Sequence, residues 1–78
     1  MDTVIEILED LCPDADVRTS TTLIDDRIID SMTMLALVAE LEDAFDIQIP
    51  AVEIMPVNFN SAAAIHALVA RLQEEDED

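Results

Sequence analysis

Asp30 and Ser31 are the residues of this sequence whose types and position best suit chemistry. They stand directly before a helical pattern of apolar residues, so the Ser31 hydroxyl is expected at the start of a helix. Free amides and the positive end of the helix dipole favour an anion there, and the position suits a phosphate-linked group. Both residue types are also common helix caps, so capping is the favoured explanation of the dipeptide alone.

Other reactive side chains give weaker signals. Ser31 is a poor nucleophile without a base, and the chain has a single histidine, His66, and no lysine, so no catalytic triad can be assembled. We expect His66 to be a partly exposed helical residue and Cys12 to be a small buried hydrophobe. Asp25 and Asp26 lie outside any glycine-containing calcium-loop spacing, so no metal site is predicted.

The apolar pattern predicts an all-α domain with one long loop. Pro13 is expected to end the first helix, and Pro56 to stop a short helical turn. The expected elements are a helix to about residue 12, a loop over 13–29, a helix over 31–45, a turn over 50–55 and a helix over 62–73. The residues expected to anchor the long loop are Val17, Leu23, Ile24 and Ile28. We expect the domain to cover 1–73 and the acidic residues 74–78 to fray, because negative charge is disfavoured at a helix C-terminus.

Polar residues at the helix starts predict the caps. Asp30 or Ser31 is expected to cap the second helix, and Asn60 or Ser61 the last one. Phe59, just before that cap, is expected to act as a hydrophobic staple.

The second helix carries two apolar faces. At 100° per residue, one arc of about 100° forms a core face, made of Met34, Leu37, Val38, Leu41 and Phe45. A second apolar stripe lies roughly opposite and is bordered by acids. It consists of Met32, Leu35, Ala36 and Ala39, with Glu42 and Asp43 at its edge. Scattered surface apolar residues are common, but a small domain has no second core, so we interpret this stripe as a partner-docking face.

Charge restricts the partners. The chain has 78 residues with 19 acids, three arginines and a net charge of −16, which excludes nucleic-acid binding and predicts basic partner surfaces. Hydrophobic content of 51% excludes the class of disordered chains. No basic leader and no apolar run of about 20 residues is present. We therefore expect a cytoplasmic monomer that does not insert into membranes.

The stretch DSMTMLALVAELEDAFDIQIP, from Asp30 to Pro50, closely resembles the acyl carrier protein family. The resemblance covers most of the chain and implies a small four-helix bundle of the acyl carrier protein type. It implies that Ser31 bears 4'-phosphopantetheine, attached from coenzyme A by a phosphopantetheinyl transferase, and that Asp30 is the family's adjacent acid. Partner contacts would come from Met32, Leu35, Ala36, Ala39, Glu42 and Asp43.

The resemblance further implies a non-catalytic, discrete carrier that holds acyl or aminoacyl groups as thioesters. Its partners would be the transferase and the enzymes that activate and transfer those groups. The stretches DDRIIDS and PVNFNSAAAI are similar to carriers of the D-alanyl carrier protein type, whereas fatty acid, polyketide and nonribosomal peptide systems use similar carriers. The chain departs from the family pattern because it has no glycine before the Asp-Ser pair, where Arg27 lies, and because Met32 replaces a leucine.

Two other functions stay open from the residues alone. The chain could be an unmodified acidic adaptor whose docking face binds a partner and whose Ser31 only caps a helix. A small hydrolase using Ser31 would need a base that the chain does not visibly supply.

Overall fold

In the part of the chain that the structure describes, the fold consists of four α-helices, one long loop and a 3-10 turn. A computed structural model describes residues 2–76. In chain order the elements are α1 (Asp2–Leu11), α2 (Ser31–Phe45), the 3-10 turn (Ala51–Glu53), α3 (Pro56–Phe59) and α4 (Ala62–Asp76). Within residues 2–76 there is no strand. The predicted all-α class, with a long loop between the first two helices, is confirmed.

Helix α2 begins and ends at the predicted residues. Asp30 is its N-cap, and Asp46 ends it in the left-handed conformation with φ 53°. The Asp46 backbone N–H donates to the Glu42 carbonyl. The chain then becomes extended and buries Ile47 and Ile49, which prevents the helix from continuing.

The core lies between α1, α2 and α4. Helix α1 packs against α2 and α4, while α4 also contacts α2 and α3. Leu37 and Leu41 are buried, and the other residues of the predicted α2 core face pack against the core: Met34, Val38 and Phe45. That prediction is therefore confirmed.

The long loop is held by apolar anchors and by Asn60. The residues predicted as anchors all pack in or against the core: Val17, Leu23, Ile24 and Ile28. The Leu23 N–H donates to the Asn60 carbonyl at 2.9 Å. The Ile24 N–H donates to Asn60 Oδ1 at 2.8 Å. These bonds fix the loop to the junction of α3 and α4, and Ile29, just before Asp30, is buried as well.

The region after Pro50 differs from the prediction. The short turn is a 3-10 turn, and Pro56, which was expected to stop helical structure, begins α3. Proline fits the first helical position because its missing N–H would be unpaired there in any case. Phe59 was expected to staple the start of the last helix, but it ends α3 and is fully buried in the core.

Helix α4 is capped by Ser61, whose Oγ accepts from the Ala64 N–H at 3.0 Å. The helix continues past the predicted end at Gln73 to Asp76. An ion pair between Arg71 and Glu75 at 3.9 Å, one turn apart, supports this last stretch. Residues 77 and 78 lie outside the described residues, and the domain limit at 73 with a frayed tail stays a prediction. None of the helices in the described chain has the length and apolar content needed to cross a bilayer.

Candidate functional site

The start of α2 is organised by the Asp30 carboxylate. Asp30 Oδ1 accepts from the Thr33 N–H at 2.8 Å, which makes Asp30 the cap and Ser31 the first helical residue. This hydrogen bond from the Thr33 backbone, together with one from the Thr33 side chain, lowers the pKa of Asp30. The side chain that precedes Ser31 is therefore an ionised carboxylate with a structural function.

Ser31 differs from the other serines in how its hydroxyl is used. The side chain is exposed, and within the described part of the chain its Oγ has no hydrogen-bond partner. By contrast, Ser20 Oγ accepts from the Thr22 N–H at 3.3 Å, and Ser61 caps α4. Because Asp30 supplies the cap, the Ser31 hydroxyl stays available to an incoming group.

A small open groove borders Ser31. Its volume is about 230 Å³. Its lining comes from the end of the long loop, the first turns of α2 and the segment before α3: Ile24, Ile29, Asp30, Ser31, Met34, Ile54, Met55 and Pro56. We call it the Ser31 groove. Its walls are mostly apolar, and its polar groups are those of Asp30 and Ser31.

This arrangement fits a phosphodiester on Ser31. Residues at the first turn of a helix meet the positive end of the helix dipole and the amides left without intrahelical acceptors. The Asp30 carboxylate already accepts a hydrogen bond from one of these amides, the N–H of Thr33. A phosphate on Ser31 Oγ would lie next to the remaining first-turn amides, and the exposed side chain leaves room for it.

The second stripe of α2 is exposed as expected. Met32 is 80% exposed and Leu35 is 74% exposed. Ala36, Ala39 and Asp43 are exposed too, so the stripe runs along about three turns of the helix.

Glu42, at the edge of this stripe, has a second function. Its side chain is half-buried, and Oε2 accepts from the Ile49 N–H at 2.9 Å. It therefore holds the extended segment after α2 in place, which reduces what its carboxylate can offer to a partner.

Sequence reasoning missed a second exposed apolar area next to the Ser31 groove. Val52 is 79% exposed and Val57 is 69% exposed, while Ile54 and Met55 are partly exposed. These residues lie in or between elements too short for a periodic pattern. The available signal was the concentration of apolar residues between Pro50 and Pro56, in a chain with a small core.

The other reactive side chains are not assembled into a site. Burial, and to a smaller extent the nearby charge of Asp30, raises the pKa of the Cys12 thiol. The buried thiol donates to the Ile28 carbonyl at 3.6 Å. His66 is half-buried, and its Nδ1 is buried without a hydrogen-bond partner in the described chain. Among the side chains of residues 2–75, no three acidic, histidine or cysteine groups lie close enough together to hold a metal ion.

Comparisons with known proteins identify the family of this chain. The family model described as a phosphopantetheine attachment site matches residues 2–69. D-alanyl carrier proteins from Lactococcus lactis subsp. cremoris strains MG1363 and SK11 are each 38% identical over 56 residues, which cover 72% of this chain and 67% of theirs. The D-alanyl carrier protein of Lactococcus lactis subsp. lactis strain IL1403 gives the same values. The chain therefore belongs to the family of non-catalytic carrier proteins that bear a covalent 4'-phosphopantetheine arm.

Proposed function

We propose that Ser31 is the attachment residue and that the chain carries acyl or aminoacyl groups between partner enzymes. One observation supports this proposal most strongly: the Ser31 hydroxyl lies exposed at the first turn of α2, while Asp30 makes the capping bond that a serine there would otherwise make. An unmodified adaptor would need no such hydroxyl, and membership of the carrier family disfavours it.

Loading of Ser31 is a phosphoryl substitution carried out by a separate transferase. The Ser31 Oγ attacks the phosphorus next to the pantetheine of coenzyme A and forms a new P–O bond. The pyrophosphate bond breaks, adenosine 3',5'-bisphosphate leaves, and the hydroxyl proton passes to a base of the transferase or to water. Within residues 2–76 no basic side chain bonds Ser31 Oγ, so the acceptor of this proton comes from outside the chain.

The chain's own contribution after loading is positioning. The attached arm supplies a terminal thiol that holds cargo as a thioester. The first turn of α2 holds the phosphate end through its amides and dipole. Tethering raises the concentration of cargo at each docked enzyme without any new contact.

Partner enzymes would dock on the exposed face of α2, which comprises Met32, Leu35, Ala36, Ala39, Glu42 and Asp43. The net charge of −16 favours partners with basic surfaces and steers them towards the chain. Of the two acids at the edge of this face, Asp43 is the better candidate for ionic contact because it is exposed, whereas Glu42 is half-buried. Unbranched Met32 can adapt to several partner surfaces.

The docking face has its own test. Leu35→Gln is expected to raise the KM of a loading enzyme for the chain and to leave the free energy of unfolding unchanged, because Leu35 is 74% exposed. Ala44→Gln, at an exposed position of α2 outside the stripe, is the matched control. An equal KM for the two variants would remove Leu35 from the docking face.

The attachment residue is tested by intact mass. The chain is incubated with coenzyme A, magnesium and a broad-specificity phosphopantetheinyl transferase, beside Ser31→Ala and Ser20→Ala. We expect one phosphopantetheine on the wild type and on Ser20→Ala, and none on Ser31→Ala. Addition to Ser31→Ala would place the arm on another residue, and no addition to any folded sample would favour the adaptor.

The first cargo to test is D-alanine, since the similar Lactococcus proteins are named D-alanyl carrier proteins. The loaded chain would be incubated with ATP, an enzyme that activates D-alanine, and D-alanine, with L-alanine as the control. A mass increase of one alanyl residue only with the D-isomer would support this cargo. The apolar Ser31 groove makes short hydrocarbon acyl groups the next class to compare.

A further inference from the structure

Glu53, the last residue of the 3-10 turn, makes side-chain contacts with α3 and α4. Arg71 of α4 donates to both Glu53 carboxylate oxygens, from Nη1 at 2.6 Å and from Nη2 at 3.1 Å. Such two-point pairing fixes orientation as well as distance. The Glu53 side chain is only 18% exposed, whereas Arg71 is 45% exposed.

Asn58 completes this arrangement from α3. Its Nδ2 donates to the Glu53 carbonyl at 2.8 Å and lies 3.4 Å from Oε1. We call these three residues, Glu53, Asn58 and Arg71, the Glu53 cluster. It ties the 3-10 turn, α3 and α4 together.

The segment held by the Glu53 cluster has little order of its own. The 3-10 turn and α3 are too short to be stable by themselves, and neither has a side-chain cap. Between them, Ile54 and Met55 have non-helical backbone angles. Ile54, Met55 and Pro56 form the wall of the Ser31 groove opposite α2. The position of that wall therefore depends on contacts made by its neighbours, among them the buried Phe59 ring and the Glu53 cluster.

We propose that Arg71 is a positioning residue for modification of Ser31, because through Glu53 it fixes the groove wall that any enzyme reaching the Ser31 hydroxyl must cover. The inference rests on the proposed function of Ser31. Arg71 itself touches neither Ser31 nor the incoming group. Loss of Arg71 would lower the fraction of molecules in which the wall of the Ser31 groove has its native position. This would weaken binding of the enzyme without changing the chemical step.

The test compares two arginines that are both paired with a glutamate. Arg71→Met breaks the Glu53 cluster. Arg18→Met breaks an exposed pair with Glu9 at 3.3 Å and removes the same charge. Transfer of phosphopantetheine from coenzyme A is measured for both variants, together with amide hydrogen exchange of the wall residues. For Arg71→Met we expect KM for the chain to rise about two- to fivefold at unchanged kcat, the range typical of a single partly exposed ion pair.

Further readouts separate positioning from general destabilisation. Exchange of the Ile54, Met55 and Asn58 amides should rise by a similar factor in Arg71→Met, while exchange in α1 stays unchanged. Arg71→Lys should have a KM between those of the wild type and Arg71→Met, because lysine keeps the charge but not the two-point geometry. Where Arg71→Met reduces helical content, Glu53→Gln provides the same comparison.

Each outcome decides between the two proposals. Equal KM values for Arg71→Met and Arg18→Met, with the wild type loaded normally, would overturn the role of Arg71 and leave Ser31 as the attachment residue. Failure of the folded wild type to accept phosphopantetheine would overturn both. A fall in kcat at unchanged KM would also overturn the positioning role.

Discussion

Arg27 offers a sharp test of how this glycine-free chain builds the loop before Ser31. It adopts φ 60°, and within residues 2–76 only Asp46 shares a positive φ. The left-handed conformation turns the chain back after Arg27, so that the Ile29 N–H donates to the Leu23 carbonyl at 3.0 Å. This conformation is destabilised in residues with a Cβ by a clash between the Cβ and the following carbonyl oxygen, and glycine avoids the clash.

The expected change in the free energy of unfolding for Arg27→Gly is the difference between two opposing effects. The left-handed conformation costs an ordinary residue about 1 to 2 kcal/mol. Relief of this cost by glycine is offset by about 0.4 to 1 kcal/mol, because glycine has more conformational freedom in the unfolded chain. The net expectation is a stabilisation of about 0.5 to 1 kcal/mol. With 78 residues, the unfolding entropy is about 0.16 kcal/mol per kelvin, so Tm should rise by about 3 to 6 °C.

Urea titration and thermal unfolding of four chains would measure this effect: wild type, Arg27→Gly, Arg27→Ala and Arg18→Gly. Arg27→Ala removes the same charge but keeps the Cβ, so it should be no more stable than the wild type. Arg18→Gly makes the same exchange at a residue without positive φ, and it should lose stability. The reasoning fails if Arg27→Gly is no more stable than Arg27→Ala, or if Arg18→Gly gains as much.

Three further predictions concern the core, the cap and the histidine. Phe59→Ala should cost about 3 to 5 kcal/mol because the ring is fully buried, and a loss below about 1 kcal/mol in urea unfolding would contradict its place in the core. The lowered pKa of Asp30 means that its carboxylate stabilises the fold above the ordinary pKa, and that this stabilisation is lost as pH falls through the lowered value. On acidification, the free energy of unfolding should therefore fall less for Asp30→Asn than for the wild type. Urea unfolding at several pH values would measure this, and parallel curves for the two chains would refute it. His66→Met should raise the free energy of unfolding by about 1 kcal/mol, since it removes a buried, unpartnered Nδ1, and a decrease would indicate a partner for that nitrogen.

The two helices that flank the Ser31 groove show what local sequence can specify. Helix α2 was predicted at its true bounds because local signals agree there: an acidic cap at Asp30, a periodic core face and an extended stretch before Pro50. Helix α3 was not predicted, because Pro56 is equally compatible with stopping a turn and with starting a helix. Burial of Phe59 against other elements decided the second outcome, and that contact is not a local property of the sequence.

Some features of the candidate site could likewise be predicted from local sequence, and others could not. Exposure of Ser31, Met32 and Leu35 followed from helical period and a small core, and was predictable. The use of the Glu42 carboxylate by the Ile49 N–H was not predictable, because the bond depends on how the chain folds back after α2. The same limit applied to the cap of α4, since either Asn60 or Ser61 fits by type.

The choice between Asn60 and Ser61 links the far end of the fold to Ser31. Ser61 caps α4, which leaves Asn60 free to bind the backbone of the long loop at Ile24. That loop reverses direction without glycine and delivers Asp30 to the start of α2, where Asp30 takes the capping bond. At both helix starts one residue caps while its neighbour is released for another function. At α4 the released Asn60 holds the loop, and at α2 the released Ser31 is left exposed, as the proposed modification requires.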